Sequence, residues 1–152
     1  MPGALIRLLQ GSLLLPTTAL FVALLTGELR HGHLWLEWPL ALEPGSHPAS
    51  EALLASIPGL LLFFTCCVLG LPRRHGRPAL LAMFGAAGAL AAYCAAVMFA
   101  PSFGNTWTSG EIFHELHLAH WRLLALSLLP GLLGTLLLQR LSRMNGCPAT
   151  RP

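Results

Sequence analysis

Residues 78–100 read PALLAMFGAAGALAAYCAAVMFA and contain no Asp, Glu, Lys, Arg or His. At a helical rise of about 1.5 Å per residue, about 20 such residues cross a hydrocarbon core of about 30 Å. Three further apolar runs of spanning length lie at residues 6–27, 52–72 and 118–139. The pattern predicts an all-α fold, a polytopic membrane protein in which four transmembrane helices form a bundle and residues 1–152 make a single membrane domain.

The composition excludes an ordinary soluble domain. Hydrophobic residues make up 55% of the chain and charged residues 10%, whereas about a quarter of the residues in soluble domains are charged. The lipid bilayer is therefore the expected main partner. The net charge of +3 reflects an Arg excess at the helix ends and gives no reason to expect nucleic-acid binding.

Polar residues separate by sign between the connections. Because cytoplasmic connections are enriched in Lys and Arg, both termini and the inner turn at residues 73–77 are predicted to be cytoplasmic, and the loops 28–51 and 101–117 are predicted to be outside. The outer loops or their edges hold Glu28, Glu37, Glu43, Glu51, Glu111 and Glu115. The inner sites hold Arg7, Arg73, Arg74, Arg77, Arg140, Arg143 and Arg151.

The first apolar run resembles a signal peptide only in its beginning, where Arg7 precedes it. It is longer than the 7–15 apolar residues of a signal peptide, and no small-x-small cleavage site precedes Glu28. We therefore treat the run as a membrane helix. All nine basic residues are Arg and the chain lacks Asp, a bias that predicts a GC-rich bacterial source and hence the bacterial inner membrane.

The interiors of the spans favour packing over transport. No Asp, Glu, Lys, Arg or His lies near the centre of any span, which argues against a pump, a proton-coupled carrier, a cation channel or a deeply held haem. The mid-membrane polar residues Thr65, Tyr93, Ser127 and Thr135 are expected to bond to helix backbone. A stripe of small residues predicts close contact with a neighbouring helix; it comprises Gly85, Ala89, Ala92 and Ala96.

The first outer loop is too apolar to lie in water. Residues 34–42 are expected to lie in the membrane interface or to fold back over the bundle mouth, with Trp35 and Trp38 at headgroup depth. Ser50 is a candidate cap for the second span.

The second outer loop leads into the densest group of chemically active side chains. Thr108 and Glu111 have the spacing of a capping box, which predicts that the fourth helix begins outside the bilayer near Ser109. This helix would carry Glu111, His114, Glu115, His117, His120 and Arg122.

At 100° per residue, His114, His117 and His120 spread over about 120° of an α-helix. An adjacent pair could share a metal ion, and His31 or His33 from the first loop would have to complete the site. Imidazole ligands suit Zn or Cu, whereas a site including Glu111 or Glu115 would suit Fe or Mn. A metal ion or haem at the outer face, an acid–base site without metal, and simple tolerance of the water boundary all remain open.

The layout resembles the anthrone-oxygenase-like (DUF1772) family of small four-helix membrane proteins. The resemblance covers Pro101 and Asn105 after the third span, then Phe113 at the position of a family Trp, His117 four residues later, and His120 or Arg122 at the position of a family Arg. Some members of that family oxygenate polycyclic phenolic substrates without an evident bound cofactor. The resemblance therefore implies proton abstraction by His117, with Arg122 stabilising negative charge.

Two functions fit these observations. In the first, the chain is an accessory or structural subunit of a larger membrane complex, or a homo-oligomer, in which the small-residue stripe packs on partner helices. In the second, it is a membrane oxidoreductase or oxygenase-like enzyme that acts on a lipophilic substrate through the outer His/Glu cluster. The first is slightly preferred because it requires less of the polar residues.

Overall fold

The computed structural model describes residues 2–42, 45, 47–104 and 106–144, and within these ranges it contains helices and no strand. Glu43, Asn105 and Arg151 lie outside the described residues. The elements in chain order are α1 (Pro2–Ser12), α2 (Leu14–His31), α3 (Pro48–Val68), α4 (Leu71–Phe99), a 3-10 turn (Ala100–Phe103), α5 (Ser109–Glu111), a π-helical segment (Ile112–Leu118) and α6 (Trp121–Met144).

Four helical stretches are long and apolar enough to cross a membrane, which confirms the all-α, four-span prediction at that level. They run over Ala4–His31, Pro48–Val68, Gly76–Phe103 and Trp121–Ser142. We call the end of the bundle that carries residues 28–47 and 104–120 the loop end. The opposite end, where α1 begins, α3 meets α4 and α6 finishes, is the terminal end.

The second span begins at Pro48, earlier than the predicted residue 52. Its cap is His47, whose Nδ1 accepts a hydrogen bond from the Ala49 amide at 3.1 Å. The Ser50 cap prediction is wrong, because Ser50 lies inside the first turn and its hydroxyl donates to the His47 carbonyl at 2.7 Å. Pro48 is suited to the first helical position because it has no N–H to leave unbonded there.

The first span is divided into α1 and α2 at Leu13. Pro16 has no N–H, so the carbonyl of Ser12 lacks its usual partner four residues later. The hydroxyls of Thr17 and Thr18 donate to the carbonyls of Leu13 and Leu14 at 2.8 and 2.9 Å.

Helices α3 and α4 pack closely, and their connection is tighter than predicted. The predicted inner turn at residues 73–77 is mostly helical, and the chain bends at Gly76, whose φ of 73° favours glycine. Near the middle of the pair, Gly59 of α3 lies against the backbone of α4: a Cβ there would be 2.4 Å from the Ala87 carbonyl oxygen.

The small-residue stripe is used inside the chain, but along a different line from the one predicted. Ala92 and Ala96 are buried in the core, whereas a Cβ added at Gly85 would have nothing within 4 Å. The residues of α4 that allow close packing are instead Ala87, Gly88, Ala91 and Ala95. The two buried members of the predicted stripe, Ala92 and Ala96, are therefore packed by the chain's own helices.

Helix α2 is the central element, with a side toward each of α3, α4 and α6. Its Phe21, Val22, Leu24 and Leu25 form the main core cluster with residues of the other three helices. Helix α6 is the least buried span. Only 22% of its 18-residue apolar stretch is buried inside the bundle, compared with 56% for the first span. Most of α6 therefore faces the surroundings of the bundle.

The buried polar residues of the spans are mostly bonded to backbone. Ser127 donates to the Leu124 carbonyl at 2.9 Å, and the side-chain amide of Gln10 donates to the Thr135 carbonyl at 3.1 Å, which joins α1 to α6. Thr135 departs from the sequence prediction, because its hydroxyl is buried without a hydrogen-bond partner.

Candidate functional site

The helix leading into α6 begins as predicted, outside the most apolar segment. The Thr108 hydroxyl accepts from the Glu111 amide at 3.4 Å, and the Thr108 amide donates to the Glu111 carboxylate at 2.7 Å. This capping box starts α5 at Ser109. The bonds from the Thr108 amide and then from its hydroxyl lower the pKa of Glu111, so this carboxylate is committed to the cap.

The segment after the cap is wound as a π-helix over Ile112–Leu118, where a continuous α-helix was predicted. The Ala119 amide donates to the His114 carbonyl, five residues earlier, at 2.9 Å. A π-helix has more residues per turn than an α-helix, so the predicted 120° spread of His114, His117 and His120 does not apply. π-helical turns within α-helices are frequent at functional sites.

His117 is the histidine that this winding directs into the bundle. Its side chain is 8% exposed, and its imidazole is surrounded by aromatic rings from three elements. The ring centroid lies 6.1 Å from Phe21 of α2, 5.7 Å from Tyr93 of α4 and 6.1 Å from Phe113 of the π-helical segment. We call these four residues the His117 box.

The surroundings of the box favour the neutral form of His117. Burial lowers its pKa from the ordinary value of 6.5, because the charged imidazolium loses hydration among apolar rings. The Nδ1 atom is buried and has no hydrogen-bond partner. An unsatisfied buried polar group costs about 1–3 kcal/mol, so the buried Nδ1 of His117 lowers the free energy of unfolding.

The other predicted site residues are dispersed. His114 is exposed beside the Phe113 ring, Arg122 lies over the Trp121 ring at 5.9 Å, and Glu111 is in the cap. At the other loop, His31 bonds to Glu37, and His33 Nδ1 bonds to the His31 carbonyl at 2.9 Å. Among the described residues, no three His, Cys, Asp or Glu side chains are grouped to hold a metal ion. The structure therefore does not bring His114, His117, Glu111, His31 and His33 together as one ligand set, and a metal ion or haem at the outer face stays a prediction.

The first loop folds back along the side of α2, whereas the sequence alternatives placed it in the membrane interface or over the bundle mouth. The Glu37 amide donates to the Ala23 carbonyl at 3.1 Å, two turns below the end of α2. Gly27 allows this approach, since a Cβ there would lie 2.0 Å from the Trp35 carbonyl oxygen. We call residues 34–38 the strap.

Ionic contacts hold the strap to the end of α2. The Glu37 carboxylate contacts the Arg30 guanidinium and accepts a hydrogen bond from His31 Nε2 at 2.7 Å. The bond from His31, followed by that from Arg30, lowers the pKa of Glu37. The sequence interpretation missed this arrangement, because it treated Glu37 as a topology marker and His31 as a metal ligand.

Acidification should therefore release the strap. A carboxyl whose pKa is lowered on folding stabilises the fold above its ordinary value, 4.5 here, and this contribution disappears as the pH falls through the lowered pKa. We expect hydrogen exchange at the Glu37 amide, corrected for its intrinsic rate, to accelerate in that acidic range. Glu37→Gln should remove this pH dependence; an unchanged profile in the variant would contradict the assignment.

Comparison with known proteins adds no relative. No protein-family model, curated protein or solved structure matches the chain. The resemblance to the anthrone-oxygenase-like family thus stays a prediction.

Proposed function

We propose that the protein is a four-span membrane enzyme in which neutral His117 accepts a proton from a lipophilic, weakly acidic substrate. The observation that carries the proposal is a histidine more than nine-tenths buried in an aromatic box with an unpartnered ring nitrogen. Perturbed ionisable groups of this kind are concentrated at functional sites. Two residues of the box, Phe113 and His117, lie in a π-helical segment, which is a second feature typical of such sites.

In this proposal the box selects an apolar, ring-containing substrate. This preference is supported by the ring contacts of the imidazole, which are edge-on with Phe21 and Tyr93 and tilted with Phe113. The nitrogen that carries the lone pair takes the proton, and the bonding electron pair stays on the substrate as a phenolate or stabilised carbanion. In an oxygenation, molecular oxygen is the oxidant that accepts those electrons.

The topology in this proposal has both termini in the cytoplasm and the loop end outside, in a bacterial inner membrane. The positive-inside rule supports this orientation, because three arginines follow α3 in the sequence, namely Arg73, Arg74 and Arg77. His117 then lies near the outer boundary of the fourth span, which begins at Trp121.

His117→Phe tests the proposal. With the protein in nanodiscs and an anthrone as probe substrate, we expect His117→Phe to lower the rate of oxygen uptake by a factor of about 10²–10⁴, the usual contribution of a general base. His114→Phe is the matched control and should keep the rate, because His114 is exposed.

Stability provides a second readout for the same pair of variants. Protonation favours the unfolded chain once the pH falls below the ordinary value of 6.5, so the wild type should lose stability between that value and the lowered folded pKa. His117→Phe should lose less over that range and should unfold at a higher temperature at neutral pH. A variant that is inactive and also less stable than the wild type would indicate a structural role, and oxygen uptake equal to that of the wild type would refute the proposal.

The accessory-subunit function keeps one supporting observation. Helix α6 has a stripe of exposed leucines; its members are Leu126, Leu129, Leu133, Leu137 and Leu141. Such a stripe suits either lipid or a partner helix. Isolation of a single chain in mild detergent, without a co-purifying protein, would argue against the subunit function.

A further inference from the structure

An apolar groove separate from the His117 box lies between the strap, α2 and α6. It has a volume of about 570 Å³, and its walls include Leu20 and Leu24 of α2, Leu34 and Trp35 of the strap, and Leu126 and Pro130 of α6. This volume is within the range of about 300–1,000 Å³ that is typical of small-molecule sites. The groove is open on one side, because Leu34 and Trp35 are 58% and 56% exposed.

The groove extends toward the middle of the membrane. Leu20 and Pro130 also line a smaller cavity of about 120 Å³, which reaches Thr17 and Gly131. Both helical walls belong to spanning stretches, Ala4–His31 and Trp121–Ser142. The open side therefore faces hydrocarbon, and an apolar chain is the occupant that this depth and lining favour.

The mouth of the groove carries the basic side chains that end α2. Arg30 and His31 end α2 beside the strap, with 36% and 43% of their side chains exposed, and one carboxylate, that of Glu37, contacts both. A guanidinium has five N–H donors, and the contact with Glu37 is made by Nη1 of Arg30. The remaining donors suit a phosphate at headgroup depth, next to Trp35.

We propose that the groove binds one acyl chain of a bilayer phospholipid, with the lipid phosphate beside Arg30. The apolar walls fit the chain, and the Arg30 donors that Glu37 does not use fit the phosphate to which the chain is attached. Because hydrocarbon surrounds both the free and the occupied groove, retention depends on van der Waals packing and on the phosphate contact. The site is independent of the proposed role of His117.

Photo-crosslinking in nanodiscs tests the proposal, with a phosphatidylglycerol that carries a diazirine on one acyl chain as the probe. Crosslinks should concentrate on residues 34–36 and 126–130. Leu126→Trp fills the groove and should reduce crosslinking by roughly tenfold, equivalent to about 1.4 kcal/mol. Leu133→Trp lies on the same helix, where Leu133 is 59% exposed outside the groove, and should leave crosslinking at residues 34–36 unchanged.

Two further arms separate the chain from the headgroup. Arg30→Gln should weaken crosslinking of the phospholipid but not of a diazirine-labelled diacylglycerol, which has no phosphate. Leu34→Trp fills the groove from the strap and should repeat the effect of Leu126→Trp if either variant is poorly folded. Equal crosslinking in Leu126→Trp and Leu133→Trp, or crosslinks spread evenly along the exposed leucines of α6, would overturn the proposal.

Discussion

Gly59→Ala should destabilise the bundle by about 1–3 kcal/mol, the usual cost of overpacking. The added methyl group would lie 2.4 Å from the Ala87 carbonyl oxygen and 2.8 Å from the Ala91 Cβ. The first of these atoms is backbone, so no side-chain rotation relieves the contact and α3 must move away from α4. Unfolding of the detergent-solubilised protein, by heat and by added SDS, measures the effect.

Gly85→Ala is the matched control on α4. Nothing lies within 4 Å of the position of its added Cβ, and alanine is favoured over glycine inside a helix by roughly 0.5–1 kcal/mol. We therefore expect this variant to be as stable as the wild type or more so. Equal destabilisation by both substitutions would show that the α3–α4 contact does not depend on Gly59.

Gly27→Ala should detach the strap from α2. The new Cβ would be 2.0 Å from the carbonyl oxygen and 2.5 Å from the carbonyl carbon of Trp35, so the strap backbone must shift. The hydrogen bond between the Glu37 amide and the Ala23 carbonyl would then be lost. Hydrogen exchange at that amide should accelerate by roughly tenfold or more, which corresponds to at least about 1.4 kcal/mol of lost protection.

The same substitution should open the groove, because the strap forms one of its walls. Crosslinking of the diazirine phospholipid at residues 34–36 should decrease, whereas the pH dependence that depends on His117 should remain. Gly110→Ala, in α5, has nothing within 4 Å of its added Cβ and should change neither readout. Unchanged exchange in Gly27→Ala would contradict the packing of the strap on α2.

The two loops differ in how far their structure could be predicted. The cap at Thr108 and Glu111 follows from a spacing of three residues, so both partners are visible in a short stretch of sequence. The contact between the strap and α2 joins Glu37 to Ala23 and brings Trp35 onto Gly27. Its geometry depends on how the chain turns at Gly32, whose φ is 69°, and not on a local pattern.

The histidines illustrate the same limit. Six of the seven belong to the outer side of the predicted topology, and their positions in the sequence do not distinguish a buried histidine from an exposed one. The π-helical winding makes the difference: it directs His117 toward Phe21 and Tyr93 and leaves His114 exposed. One additional residue in a helical turn changes the direction of every side chain that follows it. No residue type between 112 and 118 indicates that change in the sequence.

The four spanning helices and the segregation of polar residues to the bundle ends follow from the residue pattern. The mean hydropathy of a segment depends only on its own residues and not on the residues that it contacts in the fold. Tertiary structure alone decided which small residues of α4 pack, where the strap lies and which histidine is buried. Those features depend on contacts between atoms far apart in the chain, such as Gly59 with Ala87 or His117 with Phe21. In a closely packed interior, shifts of a few tenths of an ångström decide whether such a contact fits. A residue pattern does not specify atomic positions that finely.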